Sequence, residues 1–315
     1  MEITDQNMAV CFAGLSKAFL DAVNAVVVPE TAELVEKGPA SFTLTDDYPA
    51  SGMLGDLEEI LDEVAMTNIW QQFARAPLVP FGRAFAIKRA HILADELGLY
   101  QNAIKELAEL TATHPYRRVP SLLLAGTTTP WLPEATTTGA MVFSDNHQWV
   151  GGQAWDNLDH LPLTVANFDT VCLHIEMRQG PGSTPLAPRS MGLVPKLLIC
   201  GPLNRAAAEM IVTVQTIGGT NNRQYKRCDL RIYPEITDLQ WGVVDNRRKP
   251  ILYAPTPEGA RTAAQTAEEA DSVFDREEYR FKGAISYKQT ILAPHRIQWS
   301  DWTLADEASS TTAAV

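Results

Sequence analysis

Asp145 and His147 stand two residues apart in a polar stretch, a spacing at which a carboxylate can orient an imidazole acting as general base. The same pair could offer two ligands to a cation, but no Glu or Cys joins them at ligand spacing. A loop histidine making a structural hydrogen bond is the simpler reading of His147. His174, Glu176 and the later Cys200-Gly201-Pro202 resemble half of a zinc-deaminase signature. The second half needs Pro-Cys-x-x-Cys, which is absent, and residues two apart on a helix point in different directions. The chain has no Gly-x-x-x-x-Gly-Lys-Ser/Thr phosphate loop, no Gly-x-Ser-x-Gly elbow and no His-Glu-x-x-His. Gly218-Gly219 followed by Thr220 and Asn221 reads as a hairpin turn. The enzyme reading that survives is an acidic cytosolic α/β hydrolase working through Asp145 and His147. No catalytic, cofactor-binding or metal-ligating residue is assigned, and no cofactor is implied.

Cys11, Cys172, Cys200 and Cys228 are scattered, with no Cys-x-x-Cys pair, so a structural zinc site is not expected. Cys172 and Cys200 lie in apolar runs and read as buried thiols in a reducing cytosol. The net charge of −12 disfavours bulk attraction to nucleic acid, which needs clustered Lys and Arg. The two short basic groups, Arg117-Arg118 and Arg247-Arg248-Lys249, read as solvated turns or helix faces. The opening residues are acidic, unlike a signal peptide, and no apolar run approaches the roughly 20 residues of a membrane span.

The elements that must carry these residues can be read from periodicity. Phe12, Leu15, Phe19, Ala22 and Val23 fall at helical spacing, and Pro29 lies beyond them. Leu57, Ile60, Leu61 and Val64 begin a second helical pattern. From Phe73 to Ala90 the period becomes two, with Phe81, Arg83, Phe85 and Ile87 alternating with Gly82, Ala84, Ala86 and Lys88. Pro77 and Pro80 oppose a central ladder position, which predicts an edge strand or a projecting hairpin. A long helix follows from near Asp95 or Gly98, with Leu97, Tyr100, Ile104, Leu107 and Thr111 as its stripe. Pro115 and Pro120 should kink or divide it. Residues 127–138 read as loop.

From Leu163 the pattern is α/β. Thr164 caps a helix carrying Phe168, Val171, Cys172 and Ile175, ended by Gly180-Pro181-Gly182. Lys196 to Cys200 reads as strand, and Leu203 to Val214 as helix. Cys228 to Tyr233, Trp241 to Val244 and Ile251 to Ala254 read as strands. Glu258 to Ser272 reads as a linker or surface helix, and Glu278 to Thr290 as strand. The last residues, from Glu307, form a small-residue tail expected to be disordered.

Several segments occur in the order of a known family. Pro49 to Asp56 resembles a "Y-x-x-x-G-x-L/P" region ahead of a hairpin. Leu97-Gly98-Leu99-Tyr100 opens a helix that contains His114-Pro115. Phe143 to His147 resembles "F-F-x-x-x-H", and Asn157 to Thr164 resembles "N-L…L-T". Pro185-Leu186 to Gly201-Pro202 resembles "P-L…P-x-x-L-V-V-P-P", except that Pro202 follows Cys200-Gly201. Trp241 to Asp245 resembles a late "W-y-L-x-D" strand. Together, over Ala9 to Trp299, these resemble the major head subunit of Mu-like tailed phages and prophages, a branch of the Hong Kong 97-type capsid family.

That resemblance implies an α+β Hong Kong 97-type capsid fold. Residues 1–55 would be the N-terminal arm and 56–92 the extended loop, a β-hairpin. Residues 93–160 would be the peripheral domain with its spine helix, and 161–257 the α/β axial domain. Residues 258–305 would return to the peripheral domain, and 306–315 would be the tail. The implied function is a major capsid protein assembling into pentamers and hexamers of an icosahedral head around double-stranded DNA, which it encloses without specific binding. An encapsulin-like shell is the alternative on the same fold. Implied partners are copies of itself, separate scaffold and portal proteins, and decoration proteins; no membrane is implied. The place is the virion, assembled in the host cytoplasm. Trp70, Phe81, Phe85 and Ile87 are the candidate subunit-interface residues, with packing inside their own subunit as the competing reading. With only Lys88 as a loop lysine, covalent cross-linking is not expected.

Overall fold

In a computed structural model, residues 5–53, 70–94, 97–131, 141–149, 154–181, 190–266, 273 and 277–303 are described. Helix α1 (Asp5–Ala25) places Met8, Phe12, Leu15 and Phe19 on one buried face. By length and hydropathy α1 would just suffice to span a membrane. Here that face packs instead on Ile104, Leu107 and Ala108 of a later helix and on Tyr279 and Phe281 of the sheet described below. Burying a phenylalanine such as Phe19 in this contact is worth about 1.5–3 kcal/mol.

The first sheet has five strands in the order β1 (Val35–Lys37), β12 (Ile251–Gln265), β13 (Glu278–Ile291), β3 (Trp70–Lys88), β2 (Thr45–Met53). β12, β13 and β3 are long and antiparallel, while β1 joins β12 in parallel. Gly283 lets the helices approach β13: a Cβ there would lie 2.8 Å from Phe19 and 3.0 Å from Leu107. The segment expected to be a linker or surface helix from Glu258 is instead the second half of β12, as far as Gln265. Pairing of Ala260 to Gln265 with Ile285 to Arg280, after a register shift at Pro255, overrides its Ala-rich helical composition.

A short helix α2 (Arg89–Leu93) and a 3-10 turn at Leu97–Tyr100 lead into α3 (Gln101–Arg117). The spine helix thus begins later than its sequence pattern, and Pro115 lies inside it without dividing it. The division falls at Arg118, after which α4 (Val119–Leu124) takes Pro120 in its first turn, where a missing N–H costs nothing. Ile104, Leu107, Thr111 and Pro115 are buried, while Gln101, Lys105 and Glu109 face solvent.

Two-residue strands β4 (His147–Gln148) and β5 (Ala154–Trp155) pair with each other. The second sheet runs β10 (Asp229–Ile232), β7 (Leu197–Cys200), β11 (Trp241–Val244), β14 (Ile297–Ser300), β6 (Leu158–Asp159). Helices α5 (Val165–Glu176) and α6 (Arg205–Val212) cover it around a core of Phe168, Cys172, Leu198, Ile211 and Trp241. Thr164 caps α5 by accepting from the Asn167 N–H, as its position predicts. α5 stops at Glu176, ahead of the glycines expected to end it, and the first turn after β7 is a 3-10 turn, so α6 starts at Arg205. Strands β8 (Thr216–Ile217) and β9 (Thr220–Asn221) form a hairpin with positive φ at Gly218 and Gly219.

The two sheets share a core in which Trp131, Phe143, Trp155, Tyr287 and Trp299 meet. A buried polar joint fixes this junction. The Asn157 side chain accepts from the Ser144 N–H and from His147 Nε2, and donates to the Val142 and Pro294 carbonyls. Arg178, also buried, donates to the carbonyls of Asp156 and His295 at 2.5 Å each and to the Gln298 side chain. A buried guanidinium with this many acceptors holds several chain segments in one register.

Candidate assembly surfaces

β3 changes partner along its length. From Leu78 to Lys88 it pairs with β13, and from Trp70 to Pro77 it pairs with β2. Its first part therefore leaves the body as a two-stranded hairpin, at about 3.3 Å per residue. Pro77 stands where the partner changes.

The hairpin root is fixed by charge. Lys288 of β13 is almost wholly buried, and its ammonium donates to Asp46 Oδ2 at 2.5 Å, Thr43 Oγ1 at 2.7 Å and Ser41 Oγ at 3.2 Å. Thr43 and Tyr48 also donate to the Asp46 carboxylate. These donors, Lys288 first, hold the Asp46 pKa down at about 2. Across the hairpin, Arg75 pairs with Asp47 at 2.9 Å, with both side chains 44% exposed, so this bridge adds little stability.

The four candidate contact residues fall in different places. Trp70 starts β3 opposite Met53, and its side chain lies outside the described residues. Phe81 is half-buried, stacked on Tyr287 at 5.0 Å and close to His114 at 4.4 Å, with the Arg118 guanidinium over its ring. Phe85 is half-buried between Phe281 and Tyr100. Ile87 is fully buried in the core of its own subunit and has no surface left for a neighbour. The reason is strand parity: the odd residues of this part of β3 face the helices, and Gly82, Ala84, Ala86 and Lys88 face outward.

Sequence reasoning missed a different apolar group. Phe42, Leu44 and Phe73 are 60%, 79% and 42% exposed at the hairpin root, where the Leu78 N–H donates to the Leu44 carbonyl. The alternation of Phe42 and Leu44 with Ser41 and Thr43 was the available signal. On the second sheet's helices Leu173 and Met210 are also exposed, as is Met177 just after α5.

The side chains weighed for catalysis do not converge. Asp145 is exposed, whereas His147 is buried, stacked on Trp155 at 4.0 Å and held by Asn157 at 3.0 Å. Burial pushes the His147 pKa down to about 4. It serves as a neutral hydrogen-bond donor in a packed joint. His174 pairs with Asp159 at 3.1 Å, while Glu176 binds Arg227 at 2.9 Å, so these two do point apart. Among the described residues, no group of three or more His, Cys, Asp or Glu side chains could hold a metal ion. Cys172, Cys200 and Cys228 are buried free thiols.

A long-stranded sheet backed by a spine helix, a hairpin leaving that sheet and a separate α/β sheet together define the Hong Kong 97-type capsid fold. The solved procapsid of bacteriophage JBD30 is similar at TM-score 0.57 and 17% identity, covering 98% of this chain and 80% of that one. The capsid of the same phage is similar at TM-score 0.56 and 16% identity, covering 75% and 100%. A virus-like particle from Pyrococcus furiosus is similar at TM-score 0.52 and 10% identity, covering 92% and 98%. At these identities the likeness is one of fold. Residues 8–169 match the family described as Mu-like prophage major head subunit gpT, and the chain belongs to that family. It is a structural major capsid protein of the bacteriophage virion. No curated protein sequence matches the chain.

Proposed function

We propose that this chain assembles with copies of itself into the pentamers and hexamers of an icosahedral head that encloses double-stranded DNA. The observation that carries this reading is the partner change in β3, which commits one continuous strand to the body and to an arm reaching beyond it. A lone two-stranded hairpin is marginal in water, and it becomes stable when a neighbouring surface covers it. Repeated head-to-tail contacts of this kind close around rotation axes.

In this reading the arm and the extended loop, bounded at 1–55 and 56–92 by sequence, divide at Thr45 instead, because β2 is the first strand of the hairpin; 93–160 with 258–305 are the peripheral domain, and 161–257 the axial domain at the capsomer centre. Residues 306–315 are its tail. Trp70, Phe81 and Phe85 remain the proposed contact residues, joined by Phe42, Leu44 and Phe73. Scaffold and portal are separate proteins, assembly takes place in the host cytoplasm, and the subunit performs no turnover. A decorated form of the JBD30 capsid carries minor capsid protein trimers, which makes decoration a natural addition here. The acidic net charge suits DNA held by enclosure.

The test is to replace residues 47–75 by a short turn, keeping Asp46 on Lys288. The reading expects a folded subunit that forms no shells when expressed with its scaffold. Shells of ordinary yield from that variant would overturn it.

A further inference from the structure

A cleft of about 260 Å³ opens between α3 and the strands β3 and β13. One wall is a stripe of α3. Leu107, Leu110, Thr111, His114 and Arg117 recur at steps of three and four, so they line up on one side of the helix. From Leu107 to Arg117 that wall is about 15 Å long. The other wall carries Phe81 and Arg83 of β3 and Ile285 of β13. Phe81, Leu107, Leu110 and Ile285 make most of the lining apolar.

The charged groups of the cleft are all cationic, and neither Asp nor Glu lines it. Arg83 and Arg117 are exposed, and neither forms an ion pair among the described residues. Glu106 lines an adjoining, smaller cleft together with Arg83 but does not pair with it. Thr111 gives its hydroxyl proton to the Leu107 carbonyl at 2.7 Å. His114 supplies a further donor. Its Nδ1 lies 2.7 Å from the hydroxyl of buried Tyr287, whose proton has no other acceptor among the described residues. That proton therefore goes to Nδ1. Burial, with Arg118 and Arg117 nearby, holds the His114 pKa below its ordinary value. The ring is then neutral and carries its own proton on Nε2.

We infer that this cleft binds an amphipathic carboxylate, with its apolar chain against Phe81, Leu107 and Leu110 and its head at Arg117 and His114. The last two stand one turn apart on α3, and a guanidinium fork can engage both carboxylate oxygens. An exposed arginine alone holds a carboxylate weakly. The apolar lining adds the rest, at about fourfold in affinity for each methylene buried. An ammonium on the same chain would meet Arg83 and Arg117 instead of a counter-charge. The site does not depend on shell formation, so the unassembled subunit suffices to test it.

Calorimetric titration of the full-length subunit with sodium butanoate, hexanoate and octanoate is the test. Each added pair of methylenes should tighten binding about tenfold, and octanoate should raise the melting temperature. n-Octylamine at the same concentration should do neither. Arg117→Gln should weaken octanoate at least about tenfold while leaving the melting temperature of the free subunit unchanged, and Arg117→Lys should recover part of the loss. Arg83→Gln, on the opposite wall, should weaken it less. Equal binding of butanoate and octanoate, equal binding of octylamine, or unchanged octanoate affinity in Arg117→Gln overturns the inference. Two sources carry this chemistry, a free medium-chain carboxylate and the C-terminus of a protein chain. A short peptide ending in leucine, compared with its C-terminal amide, separates them. Binding of the acid form at octanoate's affinity or better, lost in Arg117→Gln, assigns the site to a chain end. Octanoate bound without the peptide assigns it to the free carboxylate.

Discussion

The Lys288 ammonium lies 2.5 Å from Asp46 Oδ2, joining the middle of the body sheet to the first residues of the projecting hairpin. Lys288 is 1% exposed, and that carboxylate and the two hydroxyls beside it accept its hydrogen bonds. Asp46→Ala should destabilise the subunit by on the order of 3 kcal/mol, the low end for a broken buried pair because Asp46 keeps 23% of its surface in water. Thermal melting checks the magnitude, and limited proteolysis should show the hairpin cleaved first. Asp46 is more acidic folded than unfolded, so its stabilisation is full above pH about 4 and fades as pH falls towards 2.

The buried histidines set a second pH dependence at a higher window. His147 and His295 are held neutral by burial, with pKa values lowered to about 4 and about 3 from 6.5. The unfolded chain takes up these protons first. Stability is therefore full above pH 6.5 and falls as pH drops from 6.5 towards 4. A loss of a few kcal/mol across that range is expected in urea melts, and His147→Gln should flatten the curve.

Gly201 tests the packing of the second sheet. A Cβ there would sit 2.0 Å from the Ile236 carbonyl oxygen, a backbone contact that cannot move cheaply. Gly201→Ala should cost about 3 kcal/mol or abolish folding, as overpacking does. Gly98→Ala, with nothing within 4 Å, should be neutral or stabilising by about 0.5 kcal/mol. Denaturant titration of both variants separates the cases.

Leu44 and Phe81 divide surface from core. Leu44→Ser should leave subunit stability within about 0.5 kcal/mol and lower shell yield, because the side chain is 79% exposed. Phe81→Ala should lose about 2–3 kcal/mol from its contacts with Tyr287 and His114, and weaken assembly as well.

Much of this architecture was legible in the residues. The stripes of α1 and α3 and the alternation in β13 have one apolar and one polar face, so periodicity gives both element and orientation. The Thr164 cap and the strand from Trp241 to Val244 were legible for the same local reasons. β12 was not: its Ala- and Thr-rich second half has no periodicity of its own, and only pairing with β13 makes it a strand. The contact residues were harder still. In β3 over Phe81 to Ala86 the single charge, Arg83, shares its parity with Phe81 and Phe85, so sequence marks the large side chains and not which face the helices cover. The second helical pattern, from Leu57, falls outside the described residues. The ordered family motifs, not any single site, made the capsid function readable.

Shell formation by the intact chain is the most direct test of the central claim. The measurement is cryo-electron microscopy of the purified protein, alone and expressed with its scaffold. Closed shells, or rings of five and six subunits with the β2–β3 hairpin lying on a neighbour, are predicted. Uniform small particles under every condition, in wild type as in the hairpin variant, would contradict it.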